Sequence, residues 1–137
     1  MRRLKLGAAV LLAVLAIASS ALASPREEVR GTINEHRVPD CDRLASTNDQ
    51  LIADAKAHSR QMAAVGSVFH SVLDAVGWSL VGEVVGTGSS WGQVVDALFR
   101  SAEHRHILED CRYDKVAVGI YFAPDGTVWL TGRLYGG

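Results

Sequence analysis

The stretch FRSAEHRHIL, Phe99 to Leu108, carries imidazoles at His104 and His106 and a hydroxyl at Ser101. A histidine changes charge near neutral pH and binds metals, so one held in a pocket is a candidate ligand or proton carrier. If residues 94–108 form a single helix, His104 lies within about 40° of Ala97 and Leu108 and within about 60° of Ser101 and Ile107. His106 lies about 200° away, among Glu103, Glu109 and Asp110. His104 is therefore expected along the apolar side and His106 in water. A buried imidazole needs a partner or a ligand. From spacing alone His104 reads first as a satisfied core histidine, since one histidine on a helix face proves little.

The stretch SVFHSVLDAVGWSLVGEVVG holds two candidate partners, His70 and Glu83. Glu83 is flanked by Leu80, Val81, Val84 and Val85. A carboxylate in such a run sits at an exposed turn or is buried with a partner, because burying it alone costs several kcal/mol. Either could serve as the partner that a buried His104 needs. Ser101 and His104 can touch across one helical turn. No G-x-S-x-G elbow accompanies them, so a serine hydrolase is disfavoured. GTGSSWG lacks the lysine and spacing of a phosphate loop.

These groups must be positioned by a few elements. PREEVRGTINEHR, Pro25 to Arg37, reads as a helix with Val29, Ile33 and Arg37 on one face. STNDQLIADAKAHSRQMAAVG reads as a second, started by a Thr47/Gln50 capping box and stopped by Gly66. Leu51, Ala55, His58 or Ser59, and Met62 line its inner side. Leu80 to Val85 suits a short strand. A third helix is expected to begin at Ser90, with Gln93 completing a second capping box. It runs on to Leu108 with Val94, Leu98 and Ala102 inside. KVAVGIYF and TVWLTGRLY flank Pro124–Gly126 and read as a β-hairpin. Helices on an antiparallel sheet give an α+β, layered domain.

The chain has 137 residues, enough for one domain. Arg2, Arg3 and Lys5, an apolar run from Leu6 to Ala18 and the A-x-A of Ala21 and Ala23 have the layout of a secretory signal peptide cut after Ala23. The run is about 13 residues, short of the ~20 a spanning helix needs. Residues 24–137 then carry eleven Lys+Arg against fifteen Asp+Glu, near −4, which argues against nucleic acid as a partner. Cys41 and Cys111 are the two cysteines. In an oxidising compartment they would pair, closing a loop worth about 4 kcal/mol in the chain-entropy treatment. Free thiols or a metal pair are the alternatives, and no C-x-x-C spacing favours them.

Taken in order, these pieces resemble the CAP superfamily (the SCP domain of cysteine-rich secretory proteins, antigen 5 and pathogenesis-related proteins of type 1), most of all its short bacterial members. Asn34 and Arg37 match the N-x-x-R of its first helix. Leu51, Ala55, His58, Ser59 and Met62 match the second. Phe69 and His70 match its F-H element, and Gly82 and Glu83 the start of its G-E-N motif. Ser101, His104, Arg105, Ile107 and Leu108 match the bacterial S-x-x-H-R…I-L. Val118 and Gly119, then Gly126 to Trp129, match the closing hairpin. The resemblance implies a three-layer α-β-α sandwich with a central antiparallel sheet and a surface cleft where His70, His104 and Glu83 converge, with Ser101 beside them. Some members hold a divalent metal such as zinc there, which here would take His70 and His104 as ligands and Glu83 as third ligand, orienting group or base. Val84 departs from the motif's asparagine. Ser101 stands where larger eukaryotic members place a second glutamate, and Leu98 where tryptophan is common.

The expected function is a secreted or extracytoplasmic, non-enzymatic binding module for an extracellular ligand such as a lipid, peptide or cell-wall fragment. It is expected to be monomeric, with no integral membrane segment after leader cleavage. One alternative is a metal-assisted hydrolase using His70, His104 and Glu83. Another is a structural domain with a vestigial cleft.

Overall fold

A computed structural model describes residues 22–37, 39 and 41–137. The expected leader, Leu6 to Ala18 included, lies outside the described residues. The elements in chain order are α1 (Pro25–His36), β1 (Ala45–Ser46), α2 (Asp49–Val65), β2 (Leu80–Gly88), α3 (Trp91–Arg100), α4 (Ala102–Leu108), β3 (Lys115–Phe122) and β4 (Val128–Gly136). The sheet order is β1-β3-β4-β2. The hairpin β3–β4 and the pair β2–β4 are antiparallel. β1 adds a parallel pairing of two residues at the β3 edge, which no pattern in the sequence announces.

Two faces follow from strand alternation. Val84, Val116, Val118, Leu130 and Leu134 join α1 and α3 residues Val29, Ile33, Val94 and Leu98 in the larger core. The opposite face packs under α2 through Ala117, Tyr135, Val85 and Trp129 against Ile52, Ala55 and Met62. The three-layer α-β-α sandwich is thus present. α2 lies so close to β3 that a Cβ at Gly119 would strike the backbone of Ala55 and Lys56. Glycine is required there by contact rather than by dihedral angle.

The helix starts differ from the expected capping boxes. Asn48, not Thr47, caps α2, its side chain accepting from Leu51 N at 3.0 Å. Asparagine is the better cap, because its carbonyl reaches the first free N–H groups. Ser90 caps α3 as expected, but Gln93 Oε1 accepts from Ser89 N at 2.9 Å, one residue before the cap. Gly66 closes α2 in the left-handed region, at φ 77°.

The larger correction concerns residues 90–108. They form two helices, not one. Ser101 is extended (φ −84°, ψ 120°), its N–H still bonded to Ala97 O while its own carbonyl accepts from Arg105 N to begin α4. Serine competes with the helix for backbone conformation, so the break falls on a residue that tolerates it. Ala102, expected inside, is exposed.

Two polar side chains of α1 and its C-terminal end tie the layers together. Asn34 accepts from Leu44 N (2.7 Å) and donates to Leu44 O (3.1 Å), acting as a strand partner would. Arg37, 5% exposed, donates to Leu108 O at 2.8 Å and Tyr113 O at 3.2 Å. It thereby binds the open C-terminal end of α4, where a cation is favoured. The disulfide Cys41–Cys111 joins the same two regions, with a Cα–Cα distance of 4.9 Å.

Candidate functional site

Glu83 sits mid-way along β2, and the β2–β4 register puts it opposite Arg133. Its side chain lies on the α2 face, since its neighbours Gly82 and Val84 face Tyr113, Ile107 and the larger core. A carboxylate 4% exposed must be satisfied by the protein, and this one is. Oε1 accepts from His70 Nδ1 (3.0 Å) and Ser71 N (3.0 Å). Oε2 accepts from Arg133 Nε (3.0 Å) and from Ser71 Oγ in a short contact. Burial alone would raise the carboxyl's pKa. The hydrogen bonds from Ser71, Arg133 and His70 outweigh it and hold the group below its ordinary range.

His70 is the exposed member, with 60% of its side chain in solvent. Because an ionised carboxylate only accepts, Nδ1 carries the proton in the neutral ring and Nε2 presents its lone pair to solvent. His58 fixes the approach of this segment. Its Nε2 lies 2.7 Å from Phe69 O, and its ring meets Phe69 edge-on at 4.9 Å. Ser59, the next residue, bonds Gly119 O and Thr131 Oγ1 across to β3 and β4.

His104 has a different partner. Its Nδ1 is 2.8 Å from Ser101 Oγ, and the ring is half-buried rather than enclosed. Ile107, one turn further along α4, packs where a Cβ on Gly82 would stand, on the sheet face opposite Glu83. The structure thus joins His70 to Glu83 and joins His104 to Ser101, with no hydrogen bond between the two pairs. His106 is exposed, as its position predicted. Among the described residues no three His, Cys, Asp or Glu side chains are grouped to hold a metal ion. A zinc site takes three or four protein ligands, and both Glu83 oxygens are already committed. The residues present do not fit a resident zinc.

Beside the Glu83 cluster runs an open groove of about 610 Å³ between α2 and residues 71–74. Leu51, Asp54 and Gln61 line its helix side, Val72 and Leu73 the other, with Arg133 and Tyr135 of β4 between. Val72 is fully exposed at its rim. Ser71 and Arg133 carry no sequence signal that links them to Glu83. Only strand register and the turn after His70 bring them in.

A family model described as the Cysteine-rich secretory protein family (CAP) matches residues 31–133. Among solved structures, the chain is similar to an outer surface protein from Borrelia burgdorferi, with a TM-score of 0.70 and 17% identity over 80% of this chain and 90% of that one. It is similar also to an extracellular protein containing a SCP domain from Bacillus anthracis, with a TM-score of 0.66 and 20% identity over 82% of this chain and 40% of that one. No curated protein matches the chain. At such identities the likeness to these structures is one of fold. Among the described residues no helix is long and apolar enough to cross a membrane.

Proposed function

This chain belongs to the cysteine-rich secretory protein (CAP) family, and from that premise we propose that it is an exported, non-enzymatic binding module whose ligand lies in the α2 groove. The observation that carries the reading is the Glu83 carboxylate, which receives four hydrogen bonds from His70, Ser71 and Arg133. A general base must be free to take a proton at working pH. Glu83 is instead an ionised strut, its affinity for protons lowered by its donors. It orients His70 and pins the 70–74 segment that forms one wall of the groove.

The groove mixes apolar side chains with Asp54, Asp74 and Arg133, which suits an amphipathic extracellular ligand such as a lipid, a peptide or a cell-wall fragment. Export is supported by the basic and apolar start of the chain and by the disulfide. We assign the leader to residues 1–23.

The test uses the oxidised protein with lysophospholipid, muropeptide and casein-peptide probes, followed by backbone amide shifts. Saturable shifts at Val72, Leu73 and Tyr135 are expected with one probe class and lost in Val72→Glu, whose exposed position spares the fold. Shifts clustered elsewhere would overturn the placement. Ester or peptide turnover abolished by Glu83→Gln with the fold intact would overturn the non-enzymatic reading. Peptide sequencing of the exported protein is expected to begin at Ser24.

A further inference from the structure

The outer edge of β3 is paired over only two residues. Val116 turns its backbone toward β1, its carbonyl accepting from Thr47 N at 3.3 Å. The chain then enters α2, and β1 ends at Ser46. Backbone direction alternates along a strand, so the N–H and C=O groups of Val118, Ile120 and Phe122 point to that same outer side. Among the described residues they have no hydrogen-bond partner. Val118 and Ile120 are 2% and 8% exposed, so their unpaired groups are also poorly hydrated. Such groups are costly to leave unmade.

This edge forms the floor of a second groove, of about 490 Å³, on the flank of α2 opposite the Glu83 cluster. Arg26, Lys56 and Arg60 line it and no carboxylate does, although residues 24–137 carry an excess of acid. Ile52, Ile120 and Phe122 supply apolar walls. Arg26 Nε is buried without a hydrogen-bond partner, its nearest carboxylate oxygen, Glu27 Oε1, being 3.6 Å away.

We infer that the β3 edge is a docking site for an extended acidic peptide segment, which adds as a strand beyond β1 and places its carboxylates against Arg26, Lys56 and Arg60. Strand addition draws affinity from main-chain bonds and specificity from alternate side chains. Here the main chain offers the outward groups of residues 118–122, and the side chains offer cations above an apolar floor. The site lies on the opposite flank of α2 from the Glu83 cluster, with Arg60 bordering both grooves.

The probe is a fluorescent, capped Glu-Val-Glu-Val-Glu peptide, titrated into the intact oxidised protein at low salt. Saturable binding is expected, with slowed hydrogen exchange at the Ile120 and Phe122 amides. N-methylation of the peptide N–H groups that face β3 should weaken binding by about fivefold to tenfold each. Lys56→Glu, an exposed change that spares the core, should weaken it by a similar factor, while His106→Ala should leave it unchanged. Equal binding by the N-methylated peptide would overturn strand addition. So would the absence of saturable binding at millimolar peptide, or displacement by laurate with no change in exchange at residues 120 and 122.

Discussion

Arg133 faces Glu83 across the β2–β4 ladder and donates to its carboxylate at 3.0 Å, with 12% and 2% of the two side chains exposed. Removing one partner of a buried pair strands the other charge, which typically costs about 3–5 kcal/mol. Arg133→Met is expected to lose that much in urea unfolding. Arg133→Met combined with Glu83→Gln should recover part of it, because the orphaned charge is gone. Equal losses in the single and double variants would show that the pair acts only through packing.

Acid should loosen the molecule through two carboxyls. Hydrogen bonds from Arg112 hold Asp110 down to about 2, and those from Ser71, Arg133 and His70 overcome burial to hold Glu83 below its ordinary range. In both, the folded pKa lies below the unfolded one. Their stabilisation is therefore complete above the ordinary carboxyl range and is lost as pH falls through the lower folded values. Urea midpoints measured from pH 6 to pH 2 should decline, and Glu83→Gln should flatten that decline.

Reduction of Cys41–Cys111 should cost about 2–4 kcal/mol without abolishing the fold. The reason is Arg37, which bonds Leu108 O and Tyr113 O on either side of Cys111 and is expected to hold these residues after the bridge is reduced. A cooperative transition with native circular dichroism is expected in reductant. Complete unfolding at 25 °C would show that the guanidinium cannot act alone.

Gly119→Ala should cost about 1–3 kcal/mol or more, since a methyl group there meets the α2 backbone, which cannot move aside as a side chain can. His106→Ala should stay within about 0.5 kcal/mol, as is usual for an exposed site. Thermal unfolding of the two variants side by side checks both.

Much of this architecture is legible in residue pattern. The hairpin, α1, α2 and their inner stripes follow from periodicity, and the Pro124–Gly126 turn from its chemistry. Position 84 shows where a motif departure has a plain physical basis, because Val84 is fully buried in the larger core. Ser101 marks the limit. Hydrophobic spacing before it suits one long helix, and nothing local says that its hydroxyl will bond His104 while the backbone straightens. Arg133 marks another limit, for its tie to Glu83 spans 50 positions and depends on strand register, which is a tertiary property.

The reach of Arg37 has a consequence for synthesis. Its guanidinium donates to carbonyls at positions 108 and 113, so the opening helix cannot finish its polar contacts until the last third of the polypeptide has appeared. A chain emerging amino end first lacks its latest-made clasp until then, and non-local closure of this kind delays folding. If the chain is exported as proposed, such a delay would keep the nascent polymer threadable through a narrow translocation pore and reserve compaction for the far side.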